Sequence, residues 1–176
     1  MAPGPTIYTI GHSTRSFEEF VEMLSAHGVK QLVDVRTVPK SRRYPHFAGE
    51  ALAESLPPAG ISYRWLKELG GRRRPRPDSP NLGWRNESFR GYADHMQSLE
   101  FVRGVEELME RGHNDDLVIM CAEAVPWRCH RSLIGDALLV RGANVLDIMT
   151  PRKAPAHKLT PFARVDGTKI TYPTEV

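Results

Sequence analysis

Five short β-branched or apolar runs, each separated from the next by a stretch with helical periodicity, constrain this chain more than any other feature. Thr6 to Ile10 reads TIYTI and stops at Gly11, and Gln31 to Val35 reads QLVDV; both have the composition and length of strands. Ile61 to Leu66, Leu117 to Cys121 and Asn144 to Met149 supply three more. After the first run, Ser16 and Glu19 stand at capping-box spacing, and Phe17, Phe20, Val21 and Leu24 recur on one helical face until Gly28. Further helical patterns cover 47–56, 89–97, 99–111 closing at Gly112, and about 126–141. Parallel neighbours need a crossover connection, so the alternation predicts βαβ units. The expected fold is α/β: a three-layer, Rossmann-like, mostly parallel sheet of about five strands with helices on both faces.

A length of 176 residues suits one core, so we expect a single domain, with an α/β body over 5–150 and a C-terminal extension over 151–176. That extension carries a hairpin signal: runs at 162–165 and 168–172 flank Asp166-Gly167. Residues 70–86 are rich in Gly, Pro and Arg without periodicity, which predicts a long loop, functional or mobile.

Twenty-four basic against 21 acidic residues leave a net charge of +3, so any nucleic-acid argument rests on clustering rather than on total charge. No run approaches the roughly 20 apolar residues of a membrane span, and the N-terminus lacks the pattern of a secretory signal. With two cysteines and no export pattern, the expectation is a cytoplasmic protein without a structural disulfide and without membrane partners.

Polar residues follow each strand run: Gly11-His12-Ser13, Asp34 with Arg36, Lys67-Glu68 with Gly70-Gly71, Cys121 with Glu123, and Thr150-Pro151-Arg152. In a parallel sheet these ends share one edge, so they converge on one crevice. Together, TIGHS, VDVRTVPKSRR, the LGG ending at Gly71, the CAE of Cys121 to Glu123, the CHR of Cys129 to Arg131 and the HKLTPFA of His157 to Ala163 resemble the family known as domain of unknown function 488. The resemblance spans nearly the whole chain. It implies a compact α/β fold of bacterial or archaeal origin and brings no established reaction.

Residue types assign the chemistry. Cys129, expected in the first turn of a helix among Arg128, His130 and Arg131, is a candidate thiolate nucleophile; a packed, inert thiol is the plainer alternative, and Cys121 fits that alternative better. His12 is a candidate general acid or base and Ser13 a donor to ligand, unless Ser13 only shapes the turn. Asp34 could assist catalysis, with Arg36 binding ligand beside it, or the two could form an internal ion pair. Arg131 and the helix start are candidates for an anion clamp, although Arg131 could instead pair with Glu123 or Asp34. Ser41, Gly70, Gly71, Glu123 and His130 complete the expected ligand set.

The basic tracts, Lys40-Ser41-Arg42-Arg43 and Arg72-Arg73-Arg74-Pro75-Arg76, suggest phosphate contacts, above all through Arg42, Arg43, Arg72, Arg73 and Arg74, with Tyr44, Trp65, Trp84 and Phe89 as stacking surfaces; two solvated loops are the alternative. Gly11 lacks the further glycines of a dinucleotide fingerprint, and the nearest arginine after Cys121, Arg128, is one position too far for a phosphatase-type cysteine loop. Cys-x7-Cys-His lacks the short paired spacing of a zinc site, so no metal is expected, and the sequence names no cofactor. The expected function is binding of, and action on, a phosphate-bearing ligand such as a nucleotide or nucleic acid. A non-catalytic nucleic-acid-binding or protein-interaction module is the alternative, and the oligomeric state is left open.

Overall fold

A computed structural model describes residues 4–174. Strands β1 (Thr6–Gly11), β2 (Gln31–Asp34), β3 (Ser62–Trp65), β4 (Leu117–Cys121) and β5 (Asn144–Asp147) form one sheet in the order β3-β2-β4-β1-β5, every pair parallel. The period-2 alternation of each strand splits its side chains between two faces. Tyr8, Ile10, Leu32, Val118 and Met120 meet α1 (Phe17–Ala26) and α2 (Gly49–Ser55). Ile7, Val33, Ile119 and Val145 face α3 (Glu87–His95), α4 (Leu99–Asn114) and α5 (Arg131–Leu139). β4 is buried at all five positions, as a central strand covered on both faces must be.

The capping box at Ser16 forms, the Ser16 side chain accepting from the Glu19 amide. The helical pattern at 47–56 resolves into a 3-10 turn, Pro45–Phe47, and the short α2. Gly112 does not close α4, which runs on to Asn114; the glycine instead packs against Pro5 and Ile7, where a side chain would crowd the end of β1.

The helix expected from about 126 is broken. Pro126–Arg128 makes one 3-10 turn closed by the Cys129 amide on the Pro126 carbonyl, Cys129 is extended, and α5 begins at Arg131. Cys129 is therefore not in a helical first turn, and the helix-start argument for its reactivity falls with that placement.

The loop over 70–86 has no regular structure but is tied down. Asp94 on α3 accepts from the Arg76 amide, Ser79 and Asn81, and Asn81 in turn accepts from the Tyr172 amide. The C-terminal segment covers the edge of β5, through Asp147 N to Pro155 O and His157 N to Val145 O, both 2.8 Å. It ends in the antiparallel hairpin β6 (Arg164–Asp166) and β7 (Lys169–Thr171), which turns at Gly167 with φ +62°.

Candidate functional site

At the C-terminal end of β1 the chain runs directly beneath the β4–α5 loop. A Cβ on Gly11 would collide with the Glu123 carbonyl, and the His12 and Ser13 amides donate to the carbonyls of Cys121 and Ala122 at 2.9 and 3.0 Å. Ser13 is left-handed, φ +52°, alone among the described non-glycine residues, a strained conformation of the kind held at functional sites.

His12 is 4% exposed and stacks on Phe47 with ring centroids 4.4 Å apart. Its Nδ1 lies 2.9 Å from the Ser13 carbonyl, which can only accept, so Nδ1 carries the proton and Nε2 is left as an acceptor. Burial lowers the His12 pKa to about 4 and the Arg36 cation adds to the effect, against the Ser13 carbonyl and Asp34. His12 is neutral at pH 7.

A cleft of about 650 Å³ opens here, walled by His12, Ser13 and Thr14, by residues 40–44, and by Ala122, Glu123 and Ala124. Lys40, Arg42 and Arg43 have no carboxylate within ion-pair distance among the described residues. A neighbouring cavity of about 410 Å³ shares Lys40, Ala122 and Glu123, and reaches Arg36, Gly71, Arg72, Arg128, His130 and both cysteines.

Asp34 and Arg36 form an internal pair. Asp34 is fully buried and its carboxylate accepts from the Arg36 amide, from Arg36 Nε at 2.9 Å and Nη2 at 2.6 Å, and from the Tyr63 hydroxyl at 2.7 Å. All four acceptor positions are taken, so Asp34 is not placed to exchange a proton with a ligand. Arg36 Nη2 also donates to the Phe47 carbonyl, while Nη1 is buried without a partner.

Arg131 is 0% exposed and pairs with neither Glu123 nor Asp34 through a carboxylate. Its guanidinium donates to Thr9 Oγ1 (3.2 Å), Cys121 Sγ (2.8 Å) and the carbonyls of Glu123 and Ala124. It is sealed beneath the cleft rather than open to it, so a direct anion clamp by Arg131 does not fit this placement.

Cys121 Sγ also meets Cys129 Sγ at 2.6 Å, both cysteines being free. Burial raises the Cys121 thiol, but hydrogen bonds from Cys129 and the Arg131 charge overcome it and bring it down to about 7. The hydrogen bond to Cys121, then burial, push Cys129 up. Thiolate character therefore belongs to Cys121, the sulfur that the sequence pattern favoured as packing. His130 Nε2 donates to the Val35 carbonyl at 2.8 Å, and Nδ1 faces Cys129 Sγ at 3.6 Å. Burial lowers the His130 pKa to about 4.

Other sequence-named residues scatter. Ser41, Arg42 and Arg43 line the first cleft and Gly71 and Arg72 the second, while Gly70 is buried against Thr37. Arg73 is spent on the carbonyls of Gly70 and Glu68, and Arg74 lines neither cavity. Trp84 packs edge-on to Phe89 and Phe162, so it offers no stacking platform at the cleft. Tyr63 and Phe47 were not anticipated; the adjacency of sequential strands β2 and β3 was the available signal for Tyr63.

Residues 16–138 match the family described as Domain of unknown function DUF488. The chain belongs to this family. The matched stretch holds the 40–44 wall, the 121–131 segment and both cysteines of this DUF488 member, and leaves out the His12-Ser13 wall. No curated protein and no solved structure matches the chain. Among the described residues no helix is long and apolar enough to cross a membrane, and no three His, Cys, Asp or Glu side chains are grouped to hold a metal ion.

Proposed function

We propose that this DUF488 protein binds a nucleotide-sized, phosphate-bearing ligand in the cleft between the β1–α1 turn and residues 40–44. The observation that carries the reading is the set of cations Lys40, Arg42 and Arg43, unpaired among the described residues, which line a cavity of about 650 Å³ together with Ser13, Ser41 and His12. Phosphate oxygens suit guanidinium and hydroxyl donors, and three unpaired cations in one concavity raise the local anion concentration. Neutral His12 offers Nε2 as an acceptor for a ligand hydroxyl or amine; with its pKa near 4 it positions a proton rather than removing one. Glu123, which also lines the cleft, counts against anions and favours a ligand that also carries a donor.

A compact ligand is preferred over a long nucleic-acid track, because Arg73 and Arg74 do not continue the cationic wall and Trp84 is packed away. The setting is cytoplasmic in this reading, where such ligands are abundant and thiols stay reduced.

Calorimetric titration with ATP and with a short single-stranded oligonucleotide, at about 50 and 200 mM salt, tests it. The expected result is ATP binding that weakens with salt and falls at least roughly tenfold in Arg42→Ala/Arg43→Ala. Absence of ATP binding at low salt, or binding indifferent to that double variant, would overturn the reading; tighter binding of the oligonucleotide would replace it with the nucleic-acid alternative.

A further inference from the structure

We infer that Cys121 and Cys129 form a thiol–disulfide exchange centre in which Cys121 is the attacking thiolate, Cys129 the resolving thiol, and the substrate a small disulfide carrying carboxylates. The inference stands apart from the phosphate reading and uses the second cavity.

The first support is charge. Arg131 is wholly buried, and of the four atoms its guanidinium touches, two are carbonyl oxygens, one is a hydroxyl and one is Cys121 Sγ. A buried cation without a counter-charge is costly, and the Cys121 sulfur is the one contacting atom able to supply it. Asp147 is reached only through the Thr9 hydroxyl, which donates to it. A fixed cation in contact with the sulfur favours the thiolate and so activates it.

The second support is geometry. Cys129 Sγ is in direct contact with Cys121 Sγ, so the two sulfurs are neighbours able to pair without rearrangement of the fold. His130 is held by Val35 with its Nδ1 lone pair toward the Cys129 thiol. The third is access. Both cysteines, 3% and 6% exposed, line the floor of a cavity of about 410 Å³ whose lining includes Lys40, Arg72, Arg128 and Glu123, all exposed. Three cations against the single carboxylate of Glu123 leave the cavity net positive, which favours an anionic substrate.

In the first step the Cys121 thiolate attacks one sulfur of the disulfide RSSR; the Cys121–SR bond forms, the RS–SR bond breaks and one RS⁻ departs. Cys129 then attacks Cys121 Sγ in the mixed disulfide, its proton passing to the second departing thiolate. The protein dithiol is oxidised by two electrons and RSSR is reduced to RS⁻ and RSH. The reverse sequence, with the thiol in excess, restores the dithiol.

The experiment exposes the reduced full-length protein, at neutral pH, to glutathione disulfide or to uncharged hydroxyethyl disulfide, with acid quenching and peptide mass mapping. Wild type is expected to lose two hydrogens, as a Cys121–Cys129 disulfide, and release two glutathiones. Cys129→Ser is expected to hold one glutathionyl group on Cys121, and Cys121→Ser to stay unmodified over the same interval while keeping its circular dichroism. Glutathione disulfide should react roughly tenfold faster than the uncharged disulfide, a preference lost in Lys40→Ala/Arg72→Ala/Arg128→Ala. Glutathionylation of Cys129 in place of Cys121, or no reaction of either sulfur, would overturn the centre. Equal rates for the two disulfides would overturn the substrate class.

Discussion

The end of β2 and the β4–α5 junction each bury an arginine, and they differ in what neutralises it. Arg36 sits on the Asp34 carboxylate, which Tyr63 completes. Arg131 has carbonyls, a hydroxyl and a sulfur. A third cation, the half-buried His157, has two carboxylates, Asp136 at 2.9 Å and Asp147 at 3.5 Å. Two, one and no carboxylates make a series, and its lower end is the place where a thiol is pressed to ionise. The polar groups closest to the strand ends are thus largely satisfied from within, and the cations left for a ligand come from the loops.

Removing the cation at the uncompensated end should do the most damage. Arg131→Met strands two carbonyls and the Cys121 sulfur in the interior, with an expected loss of about 3 to 5 kcal/mol in urea unfolding. Asp34→Asn should cost about 3 kcal/mol by leaving Arg36 unpaired, and adding Arg36→Met to it should restore part of that loss, because a pair removed whole costs less than a pair broken. Adding Cys121→Ser to Arg131→Met should restore part of the Arg131→Met loss in the same way, the remainder being the two carbonyls left without a donor.

The doubly compensated end is tested by pH. Burial opposes the His157 charge, but hydrogen bonds to Asp136 and Asp147 override it and raise the pKa to about 9. A folded-state pKa above the ordinary 6.5 means that the stabilisation is fully present below about pH 6.5 and is lost as pH rises through 9. The unfolding free energy should therefore fall between pH 7 and 10, by up to about 3 kcal/mol, and His157→Gln should remove most of that slope. Tyr63→Phe, which takes one donor from Asp34, is the smallest of the set at about 1 kcal/mol.

Much of this was legible in the chain. The β/α alternation and the Ser16–Glu19 box depend on local periodicity, and the convergence of Gly11-His12-Ser13 with Cys121 and Glu123 follows once the strands are parallel. The roles of the arginines were not legible, because whether a cation faces solvent or is sealed depends on where the backbone turns. Cys129 shows this best: apolar periodicity from Pro126 onward looks like one helix, yet a 3-10 turn and one extended residue carry Arg131 into the core. That placement sets the Arg131 guanidinium against the Cys121 sulfur, a contact that no spacing in the sequence shows. Likewise the run Arg72-Arg73-Arg74 looks uniform in sequence, but only Arg72 reaches the cavity.

The account turns on a negative charge at Cys121, and thiolate absorbance in the ultraviolet reads it directly. The groups facing that sulfur are Arg131, Cys129 and the Glu123 carbonyl. A titration of the reduced protein from about pH 5 to 10 should show one thiolate appearing with a midpoint near 7, retained in Cys129→Ser with a shifted midpoint and absent in Cys121→Ser. A wild-type protein with no thiolate until about pH 8.5 or above, the ordinary range of a free cysteine, would contradict it.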